Sequence, residues 1–366
     1  IPVVDDLDPL PAVPDVIHAQ HHVPAMTAML RFPGVPVVFV CHGAVPWEEA
    51  PPVFPSLRDY VAVDDACRER IEATPGTQGA RITTIYNSVD LARFGRRGPL
   101  PPRPRRALVF SNYATEASYL PAVRNACRDA GIEQLDVIGL GSGASCAEPE
   151  AVLPQYDLVF AKARCALEAL AVGAAVIVLD VQGMAGLVTP STMAAWRRLN
   201  FGFRLLSPDR LAVSAIRAEI DRYDPQASAA VTDWIREQAA DTTAVDAYRA
   251  VYEQALGDRQ PWDAETARLA GAAASLYLGT LGRSVTDQLA TARRAAEAHR
   301  QAHQVLEQAL VAAEQKIITA ERTIATMEQT TAEIRRRLSD IENSRTWRIF
   351  APYRRLRRGL RSTGET

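Results

Sequence analysis

The sequence predicts an α/β protein, with two doubly wound parallel-sheet domains in tandem followed by a long α-helical coiled coil. Three observations carry this reading. Short β-branched runs alternate with helical stretches in two successive series. A proline-rich, basic break, Gly98-Pro-Leu-Pro-Pro-Arg-Pro-Arg-Arg106, separates the series. Beyond Arg283, Gly and Pro nearly vanish and apolar residues recur on a heptad.

In the first series, Val37–Val40, Tyr60–Val63 and Arg81–Ile85 read as strands, and Ala25–Arg31 and Ala66–Ala73 as helices. Strand alternating with helix places the strands in parallel, because each return crosses over on a helix. In the second series, Ala107–Phe110, Asp136–Ile138, Leu158–Phe160 and Ala175–Leu179 read as strands, with helices over 117–129 and 165–172. The expected domains are 1–98, a linker at 99–106, 107–258, a helical coiled coil over 259–343 and a basic tail over 344–366. In the coil, Leu289, Ala296, Leu310, Ile317, Ile324 and Leu338 fall on one core position. Leu306, Ala313, Ala320, Met327, Ile334 and Ile341 fall on the other, with His299, His303 and Thr331 as the polar exceptions. About eight heptads would span roughly 80 Å and join copies of the chain into a homo-oligomer through 285–342.

A chain of 366 residues has room for two domains and an appendage. Net charge −2 argues against nucleic acid as a partner. Five scattered cysteines (Cys41, Cys67, Cys127, Cys146 and Cys165), with no Cys-x-x-Cys pair, read as reduced thiols of a cytoplasmic protein. The tail holds seven arginines and no acid over 344–361, with Trp347, Phe350, Tyr353, Leu356 and Leu360 interleaved and Pro352 as a breaker. That pattern suits a helix at an anionic membrane surface through 345–361, so the expected location is peripheral, on the inner membrane.

Four segments stand in a telling order: Asp15-Val-Ile-His18, Pro36-Val-Val-Phe-Val-Cys-His42-Gly43, Tyr60-Val-Ala-Val63, and Ile85-Tyr-Asn-Ser-Val-Asp-Leu-Ala-Arg-Phe94. A fifth, Leu135-Asp-Val-Ile-Gly139-Leu-Gly141-Ser-Gly143, follows them, and then a unit from Phe160 to Asp180 with Glu168 on its helix. Over roughly residues 1–255 this resembles the family 4 glycosyltransferases, whose GT-B fold is built from two Rossmann-like domains. Set against that family, the N-terminal domain lacks an opening strand and acceptor loop and reads as incomplete, the chain beginning at Ile1 in a strand-like run.

The resemblance implies transfer of a sugar from a nucleotide diphosphate sugar to a bacterial surface glycan or lipid-linked acceptor, with no cofactor and no metal. It implies that Glu168 holds the ribose and that His42, the candidate catalytic residue, faces the sugar. Lys162 and Arg164, before the helix, are placed to hold the diphosphate. Gly141 and Gly143 would admit the base close to the backbone. Two departures stand out. The family's first glutamate, eight positions before Glu168, falls at Phe160, and Ser111-Asn-Tyr-Ala114 replaces an Arg and Lys after the first donor-domain strand. They keep open an alternative, an inactive GT-B scaffold that organises partner glycosyltransferases at the membrane. A nucleotide-sugar epimerase would share the Glu-bearing helix but leaves the basic tail unexplained. His18, His21 and His22 lack a Cys or carboxylate to complete a zinc set, and Asp5-Asp6-Leu7-Asp8 reads as a solvated turn.

Overall fold

The computed structural model describes residues 3, 7, 12–259 and 261–349. Asp5, Asp6 and Asp8, and most of the basic tail with Phe350, Pro352, Tyr353, Leu356, Leu360 and Arg361, lie outside the described residues. Contacts divide the chain into two units, Ile1–Leu278 and Gly279–Thr366.

The first unit opens with β1 (Ile17–Ala19), α1 (His22–Arg31), β2 (Val37–Cys41), β3 (Leu57–Ala62), α2 (Asp65–Ala73) and β4 (Arg81–Thr84). These four strands form a parallel sheet in the consecutive order β1-β2-β3-β4. The start of α2 is fixed by the Asp64 carboxylate, which accepts from the Cys67 N–H at 2.7 Å.

After the proline-rich segment come β5 (Arg106–Phe110), α3 (Leu120–Asp129), β6 (Gln134–Ile138), the single-turn α4 (Pro149–Val152), β7 (Leu158–Ala161), α5 (Ala163–Val172), β8 (Ala175–Asp180) and β9 (Gly183–Leu187). Their order in the second sheet is β6-β5-β7-β8-β9, parallel except for β9 at the edge. The strands β7 and β8 are buried along their whole length, as continuous apolar runs covered on both faces must be. Side chains alternate between two cores. Val159, Ala161, Val176 and Val178 face α5 and α8 (Pro225–Gln238), past α6 (Met193–Arg198) and α7 (Val213–Ile220) in the chain. Leu158, Phe160, Ala175 and Ile177 face α3 and α7. Phe160, fully buried, therefore fills a core where the family resemblance places a glutamate.

Helix bounds differ from the sequence reading where backbone geometry outweighs composition. The helix expected over 117–129 starts at Leu120, behind hydrogen-bonded turns at Thr115–Ser118. The one expected over 165–172 starts at Ala163, so Arg164 stands inside its first turn.

The chain then returns. Val89 donates its N–H to Ala239 O at 2.8 Å and accepts from Asp241 N–H at 3.2 Å, so the outgoing and returning segments cross side by side. α9 (Asp241–Gly257) packs Val251 and Ala255 into the core of the first sheet. α10 runs unbroken from Ala264 to Asn343, 80 residues, and a short α11 (Arg345–Ile349) follows. The helix expected from 259 begins five residues later, and its first turns also belong to the first core through Ala270, Ala273 and Tyr277. No helix among the described residues is long and apolar enough to cross a membrane.

Two histidines fasten these returning helices. His18 Nδ1 lies 2.6 Å from the Tyr252 hydroxyl, and His22 Nδ1 lies 2.7 Å from that of Tyr277. Burial lowers both imidazoles below the ordinary 6.5; His42 adds to this at His18, whereas at His22 Glu48 opposes it and Arg70 and His21 reinforce it. The unfolded chain then binds more protons than the folded one between the lowered values and 6.5. Stability should therefore rise with pH through that window and fall as pH drops below about 6.5. Thermal unfolding followed at pH 5.5 and pH 7.5 should show the lower midpoint at pH 5.5, and His18→Gln with His22→Gln should flatten the difference.

Candidate functional site

In the second sheet the chain leaves β5 toward β6 on one side and resumes at β7 on the other. The loops after β5 and β7 thus diverge, which opens a crevice at the carboxyl ends of the strands, where doubly wound sheets bind ligands. Among the described residues the first sheet, wound in one direction, has no such reversal. Gly141 and Gly143 follow β6, and Lys162, Arg164 and Glu168 follow β7, whereas His42 follows β2 of the first sheet.

The β6 loop is pinned to the β5 loop. Gly141 N–H donates to Asn112 O at 3.0 Å, and Leu140 N–H to Asn112 Oδ1 at 3.1 Å. Gly139 has φ +148°, and a Cβ there would stand 2.1 Å from Ser111 O, so glycine is required for this contact. At Gly141 a Cβ would meet Ala114 O at 2.8 Å. The close approach at Gly141 is thus to the neighbouring loop, whereas Gly143 faces open space.

At the β7 end, Lys162 Nζ pairs with Asp180 Oδ2 at 2.5 Å, reaches Gln182 Oε1 at 3.1 Å and lies 5.3 Å from the Tyr113 ring centre. Asp180 is fully buried and also accepts from Ser111 Oγ at 3.1 Å. This carboxylate was not singled out from the sequence, although a single acid closing an otherwise apolar strand marks a chain end turned toward the sheet edge. Lys162 is therefore held by the sheet itself.

α5 begins without a side-chain cap, so its first N–H groups carry no competing carboxylate or hydroxyl. Ala163 takes a left-handed φ of +51° and donates its N–H to Phe201 O, whose own φ is +48°. With Asn200 at φ +53°, three non-glycine residues at this junction are left-handed, each storing about 1–3 kcal/mol. One turn on, Glu168 is buried, and its Oε1 receives Arg164 Nε at 2.9 Å. The Arg164 side chain itself is 74% exposed.

Across the crevice stands the edge of the first sheet. His42 follows β2, and its backbone N–H donates to Glu49 Oε2 at 2.7 Å. Its imidazole is held below the ordinary value, first by desolvation; Glu49 opposes this, and His21 and Arg164 add to it. Arg164, from the second sheet, thus bears on the imidazole of the first. Between them, Tyr86, Asn87, Ser88, Asp90, Arg164, Asp241 and Tyr248 line a cavity of about 260 Å3.

Arg197 on α6 was also missed. It is 5% exposed, bonds Asn87 O, lies 5.4 Å from the Tyr86 ring centre, and leaves Nη1 without a hydrogen-bond partner. Burial draws its pKa down to about 10, with Tyr86 opposing. Surface ion pairs flank it, Arg198 to Asp65 at 2.7 Å and Arg204 to Glu69 at 2.5 Å.

Removing the Lys162 ammonium leaves Asp180 as an uncompensated buried charge. Lys162→Met should cost about 3–5 kcal/mol in denaturant unfolding. Adding Asp180→Asn should recover most of that loss; no recovery would show that Lys162 stabilises the fold by some route other than Asp180.

Residues 12–93 match the model of Glycosyltransferase Family 4. Among solved structures, the chain is similar to a glycosyltransferase from Rickettsia africae ESF-5 (11% identity, 67% of this chain, 77% of that one, TM-score 0.41). It is also similar to the pneumococcal O-GlcNAc transferase GtfA in complex with UDP and GlcNAc (15% identity, 66% of this chain, TM-score 0.47), of whose chain it covers 57%. A third is the sucrose-phosphate synthase of Thermosynechococcus elongatus (11% identity, 66% and 73% of the two chains, TM-score 0.41). No curated protein matches the sequence. The resemblance read from the sequence thus stands: the chain is similar to the family 4 glycosyltransferases, by the family's own model over residues 12–93 and by two successive Rossmann-like sheets in the GT-B manner.

Proposed function

We propose that the protein is a glycosyltransferase that moves a sugar from a nucleotide diphosphate sugar to a bacterial surface glycan or lipid-linked acceptor, with no metal in the reaction. The observation that supports this reading is the switch point of the second sheet, with an uncapped helix start, a buried glutamate and a glycine loop at the ends of its strands. The N–H groups of α5 after Ala163 and its positive dipole end suit a diphosphate. Glu168 suits the two ribose hydroxyls once Arg164 releases it. The exposed Arg164 can then swing to the diphosphate and replace one carboxylate by another anion at little cost. Lys162 keeps Asp180 and offers its remaining N–H to the same charge. The leaving diphosphate is stabilised by these cations and dipoles, the work that a divalent ion performs in other transferases. His42 is read as the residue that faces the sugar from the first sheet.

A second reading, the inactive scaffold, draws on the same geometry. Lys162 and Arg164 are both already paired with carboxylates, and Phe160 fills the place of a family glutamate. Calorimetric titration with UDP-, GDP- and ADP-sugars separates the two. A nucleotide diphosphate should bind, binding should persist in EDTA, and Glu168→Ala should weaken it by about 1–3 kcal/mol. Absence of binding across the panel would favour the scaffold.

The helical extension is read as a parallel dimer. Its seam residues Leu306, Leu310, Ile317, Ile324, Met327, Ile334, Leu338 and Ile341 are all more than half exposed in the single chain. In a parallel pair, Lys316 faces Glu321 and Arg337 faces Glu342 of the second copy across the seam, and the other matching positions are neutral on one side. The basic segment 345–361 is proposed to hold an anionic membrane surface, with two tails per dimer raising avidity. Deleting 345–366 should abolish sedimentation with anionic vesicles and leave nucleotide binding intact.

A further inference from the structure

The seam of the helical extension is interrupted at one place by two imidazoles in successive layers, His299 and His303. They lie four residues apart on α10, so both project from one face with Cβ atoms about 5–6 Å apart. Two histidines at that spacing on a helix form a chelating pair. Both are exposed in the single chain, and His303 Nδ1 lies 3.4 Å from Glu307 Oε1. A carboxylate on one ring nitrogen fixes the tautomer and leaves Nε2 as the free donor, the arrangement found behind metal-bound histidines. On the other side the next two layers are alanines, Ala296 and Ala292, which let two helices approach closely beside the imidazoles.

We propose that His299 and His303 from two copies of the chain form a four-imidazole metal site within the coiled coil, with zinc as the fitting ion. The inference rests on the parallel-dimer reading, since one chain supplies only half of the ligands. In register, a layer of one kind and the next layer of the other are four residues apart along the axis, about 6 Å. Four neutral nitrogens converge there on a space suited to tetrahedral coordination at about 2.0–2.1 Å. Without the ion, four polar rings would sit in an apolar seam with few partners, which costs stability. With it, a weak point between alanine and leucine layers becomes a clasp. The ion is structural and lies on a different element from the switch point, so it takes no part in the transfer reaction.

The 366-residue chain is tested by light scattering in EDTA and in zinc chloride, and by calorimetric titration with zinc chloride. The expected stoichiometry is one zinc per two chains, with the thermal midpoint of the dimer raised by zinc. Glu307→Gln should weaken binding about tenfold. His299→Leu with His303→Leu should abolish this titration step yet remain dimeric, because leucine completes the seam. A dimer whose zinc titration is unchanged in the double leucine variant overturns the site and leaves the dimer standing. A chain that is monomeric in EDTA and dimeric in zinc supports the site. A chain monomeric in both, or one that binds one zinc per monomer through these histidines, removes it.

Discussion

A buried carboxylate organises the switch point. Asp180 ends β8 with no exposed surface, and an unpaired charge in that position is not tolerable in a folded core. Its two partners come from the ends of the two strands that flank the crevice, Ser111 after β5 and Lys162 after β7. One negative charge therefore sets the mouth of the site. Tyr113 is drawn over Lys162, Asn112 next to it anchors the glycine loop, and α5 starts directly after the lysine. The left-handed Ala163 is the kink that lets strand and helix meet so closely, and the Phe201 carbonyl holds it.

The cleft between the sheets rests on a different balance. Buried hydrogen bonds tie the two crossing segments at Val89 and Ala239, whereas much of the remaining contact is made by exposed arginines. Arg197 is the exception, a buried guanidinium with a backbone carbonyl and an aromatic face but no carboxylate. Its desolvation is only partly offset, so this side of the cleft carries an electrostatic debt that the crossing segments do not.

Much of the architecture is legible in the sequence because fully buried parallel strands leave continuous apolar runs, as in β7 and β8. The Glu168 helix was visible for a similar reason, with apolar strands on both sides and Gly173 at its left-handed end, φ +108°. What the linear pattern hides is pairing over long separations. Lys162 and Arg164 look alike as two cations before a helix, yet one is drawn inward by Asp180 and the other lies along the helix to Glu168. The return of 264–278 onto the first sheet was equally hidden. Its alanines continue into the heptad region without a break, and only the pairing of Tyr277 with His22 distinguishes this stretch. Arg197 carries no local signal at all, since an arginine late in a short helix is ordinarily a solvated residue.

The side-by-side crossing at Val89 and Ala240 and the surface pairs near it differ in how they meet solvent. The crossing is an isolated parallel bridge of two backbone hydrogen bonds, with Val89 and Ala239 buried. The ion pairs Arg198–Asp65 and Arg204–Glu69 keep their arginines 66% and 38% exposed, so the surrounding electrolyte screens them. Dissolved ions would weaken those pairs and leave the buried bridge untouched.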